Sequence, residues 1–119
     1  MKRYVAFAAL TALLAGCTST QTLRDSKPTA VYEGGGTAED VATCVNAAWS
    51  SKPVHLSTIV LYSGTTIELR ETEGGPVVAL VDIKPVGAKT VATYYSQFST
   101  DDTWYFDHVE SCMDATPAG

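Results

Sequence analysis

The sequence predicts one α+β domain in the order helix, four strands, helix. Three observations carry that prediction. An apolar stripe at helical spacing runs from Val41 to Trp49. Four runs rich in β-branched residues follow, separated by tight-turn residues. A second helical stripe runs from Tyr105 to Met113. The simplest packing is a four-stranded antiparallel meander with an N-terminal and a C-terminal helix on one face, α-β-β-β-β-α.

The first helix has the strongest local signals. Thr37 is a good N-cap, and Asp40 three residues on makes an approximate capping box. Glu39 and Asp40 suit the positive end of the helix dipole. Val41, Cys44, Val45, Ala48 and Trp49 then recur at i, i+3, i+4, i+7 and i+8, one apolar face. Pro53 forbids continuation beyond Lys52.

The strands follow in order. His55 to Ser63 is rich in β-branched residues and ends at Ser63-Gly64. Thr66 to Glu73 alternates, with Ile67 and Leu69 on one face and Glu68 and Arg70 on the other. After the turn Gly74-Gly75-Pro76, Val77 to Lys84 puts Val77, Ala79, Val81 and Ile83 on one face. After Pro85-Val86-Gly87 comes Lys89 to Phe98. Such short connections favour hairpins. Ser99 or Thr100 caps the closing helix, with Asp101 and Asp102 in its first turn and Tyr105, Val109, Cys112 and Met113 on its apolar face. Trp104-Tyr105-Phe106 is ambiguous, since it suits a strand equally well.

The N-terminus carries an address. Met1-Lys2-Arg3 is basic, and Tyr4 to Leu14 is an apolar run of about 11 residues. Crossing a bilayer takes roughly 20 residues, so this run reads as a signal peptide and not as a membrane helix. The residues that follow, Leu14-Ala15-Gly16-Cys17, resemble the lipobox of bacterial lipoproteins: a leucine, two small residues and a cysteine. The resemblance covers only the first 17 residues. It implies that Cys17 receives diacylglycerol, that the chain is cut before Cys17, and that the new amine is acylated. The alternative is an ordinary signal cut after Ala15 or Gly16. Thr18 stands where an aspartate would favour the inner membrane, so the resemblance implies an outer-membrane lipoprotein facing the periplasm.

The organisation expected is then a signal peptide at 1–16, a lipidated N-terminus and flexible tether at 17–36, a globular domain at 37–114 and a disordered tail at 115–119. Thr18 to Gly36 is rich in Ser, Thr and Gly and has no hydrophobic period. As a flexible coil it would reach roughly 25 Å. Gly34-Gly35-Gly36 is not a phosphate loop, because no Lys-Ser or Lys-Thr follows. Val31 and Tyr32 offer a different outcome, an extra edge strand docked on the domain.

The 119 residues carry 8 basic and 13 acidic side chains, a net charge of −5. Removing Lys2 and Arg3 with the signal leaves six basic residues and a charge of −7. This argues against nucleic acid, which needs clustered Lys and Arg. It argues equally against a basic patch on an anionic lipid surface.

The lipobox resemblance assigns Cys17 to lipid and leaves Cys44 and Cys112. In an oxidising compartment these are expected to form a disulfide joining the two helices. Catalytic chemistry is sparse. His108 and Cys112 lie at i, i+4, but a disulfide removes Cys112 as a metal ligand. No Gly-x-Ser-x-Gly elbow is present. Glu68, Glu71 and Asp82 are the available carboxylates for glycosidic cleavage, though alternating strand positions suit a solvated face better.

Aromatic residues crowd the segment from Tyr94 to Phe106. Adjacent strand residues face opposite ways, so Tyr94 and Tyr95 do not share a core. Tyr95 together with Tyr62 is the candidate partner-binding pair, on the sheet face left open by the helices. The expectation is a membrane-anchored, non-enzymatic envelope protein that uses no cofactor or metal and binds another protein, through the open sheet face or an edge strand. The alternatives are a binder of small molecules or cell-wall glycan, and an inhibitory or phage-excluding lipoprotein.

Overall fold

The computed structural model describes residues 15–98 and 100–116, the first four of these by backbone alone. Residues 1–14 of the expected signal peptide, Ser99 and residues 117–119 of the expected tail lie outside the described residues, as does the side chain of Cys17. The elements are α1 (Ala15–Asp25), β1 (Ala30–Gly34), α2 (Ala38–Trp49), β2 (His55–Leu61), β3 (Gly64–Arg70), β4 (Val77–Val86), β5 (Lys89–Ser96) and α3 (Thr103–Cys112).

β2 to β5 form the expected antiparallel meander, but the sheet has five strands, in the order β1-β5-β4-β3-β2. The fifth is β1, which pairs antiparallel with β5 from Ala30 opposite Tyr94 to Gly34 opposite Thr90. This corrects the four-stranded meander and the flexible tether together. The glycines that end and follow β1 are contact points, not spacers. A Cβ on Gly34 would overlap Met113. The Gly36 amide donates to the Met113 carbonyl at 2.9 Å, the Gly35 amide donates to Asp114 at 2.7 Å, and the Thr90 hydroxyl donates to the Gly36 carbonyl at 2.5 Å. Glycine here permits close approach of backbones and not freedom of the chain.

α2 begins as the sequence predicts, with the Thr37 hydroxyl accepting from the Asp40 amide at 3.1 Å. Its Val41, Ala42, Val45 and Trp49 are buried. α3 settles the ambiguity at Trp104-Tyr105-Phe106 in favour of helix, but it starts later than predicted. Neither Ser99 nor Thr100 is the N-cap; Asp102 holds that position, and the Asp101 carboxylate accepts from the Thr103 amide at 2.9 Å.

α2 and α3 pack side by side on one face of the sheet, as expected. Cys44 and Cys112 join them through a disulfide, with their Cα atoms 5.7 Å apart. The core beneath holds Trp49, Ile67, Leu69, Val81, Ile83, Tyr94 and Val109, all fully buried. Most of the crowded aromatics line one end of it. Trp49 meets Tyr94 and Tyr105 edge-on at ring separations of 6.0 and 5.9 Å. Its indole N–H donates to the Tyr105 carbonyl at 3.1 Å, which satisfies the buried donor.

One strand prediction fails at its first residue. The β3–β4 register slips between Leu69 and Arg70, so that Arg70 pairs with Val77 but Leu69 with Ala79. The slip turns Val77 away from Ala79, Val81 and Ile83. It packs with Leu23 and Leu80 on the opposite face.

Candidate functional site

The opposite face is not open. α1 lies across it and inserts Leu23 between Val77 and Leu80, with Tyr95 packed beside them. The sequence around Leu23 has no hydrophobic period, so this helix owes its place to contacts distant in sequence. The Arg24 guanidinium grips the Asp82 carboxylate at 2.9 and 3.1 Å. The Thr66 hydroxyl donates to the same carboxylate at 2.6 Å, and the Thr20 hydroxyl donates to Glu68 at 2.9 Å.

Glu68 and Asp82 are therefore buried and engaged, not on a solvated face as expected. Burial pushes the Asp82 carboxyl up, but hydrogen bonds from Arg24 and Thr66 and the Arg24 charge outweigh it and hold the group below its ordinary value. The Arg24 guanidinium is raised, chiefly by its hydrogen bond to Asp82. The pair is occupied in holding α1. Glu71 stays exposed beyond the end of β3.

The two tyrosines proposed as a partner-binding face do not come together. Tyr62 is fully exposed in the β2–β3 turn. Tyr95 sits near the end of β5, one strand in from the β1 edge and opposite Leu80, half-buried against α1. His108 Nδ1 lies 2.8 Å from the Trp104 carbonyl, and its ring rests on the Trp104 ring. Cys112 is consumed by the disulfide. Among the described residues, no three His, Cys, Asp or Glu side chains gather where they could hold a metal ion.

What the structure does bring together lies at the edge strand β2. An open groove of about 670 Å³ runs between α2 and the sheet. Its wall is the outer flank of α2, with Glu39, Thr43, Asn46 and Ala47; its floor is Thr58, Val60 and Thr65. The Asn46 amide donates to the Thr58 hydroxyl at 2.7 Å and ties wall to floor. Glu39 is the one charged residue in the lining. These hydroxyl, amide and methyl groups can hold a chain or a small molecule.

Beside the groove, β2 leaves Ile59, Val60, Leu61 and the adjoining Tyr62 exposed, Val60 by 78 %. The strand has no proline, no bulge against β3, and no formal charge from Leu56 to Tyr62. It thus lacks the usual protection of a sheet edge. Sequence reading allowed an edge strand as the contact but singled out neither β2 nor the groove, although the signal was present: a run of seven residues, His55–Leu61, without a Lys, Arg, Asp or Glu and with apolar residues at both parities.

The site also has a direction. Arg24 sits over Thr66 and Asp82, Thr20 over Glu68, and the Ser19 hydroxyl accepts from the Val77 amide at 3.3 Å. The backbone of α1 therefore heads toward the β3–β4 turn, and Leu61 and Tyr62 stand at the other end of β3, beside Gly64. No protein-family model, curated protein or solved structure matches the chain. Among the described residues no helix is long and apolar enough to cross a membrane.

Proposed function

We propose that this chain is a lipid-anchored protein of the bacterial envelope, held at the outer membrane by Cys17 and facing the periplasm, that binds another protein and catalyses no reaction. The observation that carries the binding is the uncharged, apolar edge of β2 bordering the α2 groove. An exposed strand edge offers a partner unpaired backbone N–H and C=O groups, and the neighbouring groove offers side-chain pockets. The resemblance of residues 14–17 to a lipobox supports the lipid. If Cys17 carries it, the anchor is short. The docked Leu23 lies only six positions after Cys17, about 9 Å along the helix. The domain would then be held against the membrane with its β2–β3 turn pointing away.

The test is capture by residues 18–119, which keep the contacts of Ser19, Thr20, Leu23 and Arg24. One envelope protein retained in near-stoichiometric amount, lost with Val60→Lys and kept with Tyr95→Ala, is the expected result. Retention unaffected by Val60→Lys sinks the reading. A second reading, a small-molecule or glycan site, is favoured by the size of the groove, which falls within the range of ligand pockets. A thermal-shift screen with cell-wall fragments distinguishes it.

A further inference from the structure

We infer that the end of the domain where α1 emerges is a membrane-contact surface, on which Phe98, Trp104, Tyr105 and Lys52 rest in the headgroup layer of a zwitterionic bilayer. The inference rests on the lipid anchor proposed above and names the part of this chain that meets the lipid.

The strands define that end. β2 starts and β3 finishes there, with His55 opposite Arg70; β4 starts and β5 finishes there, with Ala79 opposite Ser96. On one face of the sheet the Ser19 hydroxyl accepts from the Val77 amide, at the first residue of β4. Cys17 stands two positions before Ser19, about 3 Å along the helix. A lipid on Cys17 therefore begins level with the strand ends. With α1 docked, its acyl chains enter a bilayer when this end of the domain comes down to the headgroups.

The other face supplies what touches them. The Gln97 amide donates to the Val78 carbonyl at 2.8 Å, which sets Phe98 beside the start of β4. α3 starts at Thr103 and runs from there toward Gly34 and Gly36, where Met113 packs. Trp104 and Tyr105 are thus in its first turn, at the same end as Phe98. Lys52 stands between α2 and β2, also at this end. Phe98 and Tyr105 stack with ring centroids 5.2 Å apart, and Trp104 meets Tyr105 edge-on at 5.1 Å. Lys52 Nζ lies 4.4 Å from the centre of the Trp104 ring. The three rings are half-buried and the lysine is exposed. Trp49 and Tyr94 fill the core beneath, so these rings keep an outer side.

The chemistry of the surface selects a bilayer. Tryptophan and tyrosine gather at membrane interfaces because an apolar ring carries a polar tip. Lysine joins them by laying its stem on apolar surface and leaving its ammonium among the phosphates. Charge narrows the lipid. Lys52 and Arg70 are met at this end by Glu71 and Glu73 of the β3–β4 turn and by Asp101, so no positive excess draws it to an anionic surface. The rings carry the contact, and a zwitterionic headgroup layer suits them. The strands then stand upright on the membrane. β3 has seven residues, which puts the β2–β3 turn roughly 24 Å farther out. The β2 edge rises from the membrane with Val60 and Leu61 at its outer end.

The test uses the full chain, purified from a bacterial envelope in detergent and reconstituted in phosphatidylcholine vesicles whose acyl chains carry bromine next to the headgroup. Bromine quenches indole on contact. The chain has two tryptophans, and the fully buried Trp49 serves as the internal reference. Emission should drop by roughly a quarter against unbrominated vesicles, which is half the signal of the one tryptophan that reaches the lipid. The drop should vanish in Trp104→Phe, and adding Tyr62→Trp to that variant should not restore it. Replacing part of the phosphatidylcholine by phosphatidylglycerol should not deepen the quenching. A chain that floats with the vesicles and shows no quenching overturns the inference and leaves the anchor standing. Quenching at Tyr62→Trp as strong as at Trp104 also overturns it, because the domain then lies on its side. A chain whose mass shows no lipid on Cys17, and which does not float, overturns the anchor and this surface together.

Discussion

The two faces of the sheet are covered by unlike means. On one face α2 and α3 bury a continuous core that includes Trp49 and Tyr94, and a disulfide staples them. On the other, α1 contributes one buried leucine and a set of polar contacts around Asp82 and Glu68. Apolar burial and a covalent link make the first face the seat of global stability. The second is a strap whose hold depends on a few groups. Stability in a fold is seldom uniform, and elements with few buried contacts open first.

Removing the staple should have the largest effect. The disulfide closes a loop with a sequence separation of 68 residues. Replacing Cys44 and Cys112 together by alanine should cost about 4 kcal/mol of global stability by the chain-entropy model, read by urea denaturation. A cost below about 1 kcal/mol would show that packing alone holds this face. Leu23→Ala is next, with a local loss of about 2–3 kcal/mol. Hydrogen exchange should rise sharply in residues 19–25 and stay unchanged in α2. Equal exposure of both helices would erase the contrast between the faces.

Acid should act on the same strap. The Asp82 carboxyl lies below its ordinary value in the folded chain, so its contribution is complete above the unfolded carboxylate range, about pH 4. It is lost as pH falls through the lowered folded value. Leu23 methyl resonances should shift below about pH 4, and Asp82→Asn should remove most of that response. A response unaltered in Asp82→Asn would place the titration elsewhere. The smallest effect on stability belongs to Val60→Lys. The side chain is exposed on an edge, so denaturation should change by less than about 0.5 kcal/mol. A larger loss would mean that β2 contributes to the core and is not a free edge.

Which parts were legible follows the same division. The α2 face was readable because its signals are local. Thr37 and Asp40 mark a helix start, Val41 to Trp49 has a helical period, and the turn residues set the hairpins. The groove was only half legible. The uncharged run in β2 is visible in sequence, but that β2 lies at an edge beside the outer flank of α2 is a property of the sheet order. Pairing Tyr62 with Tyr95 failed for that reason. Parity assigns a residue to a face, but it does not say how many strands separate two residues or what covers them.

The sequence by itself determined the α+β class, the meander from β2 to β5, the cap and apolar face of α2, and the two cysteines that join the helices. Only the tertiary structure decided that residues 15–34 form a helix and a fifth strand, that Gly34 and Gly36 are packed against the end of α3, and that Val77 turns to the far face. The reason is where the stabilising contacts lie. Arg24 meets Asp82 and Ala30 pairs with Tyr94, each about 60 residues away along the chain. A segment held by such contacts has no period, cap or turn of its own to read. Its sequence stays that of a linker until the sheet it docks on exists.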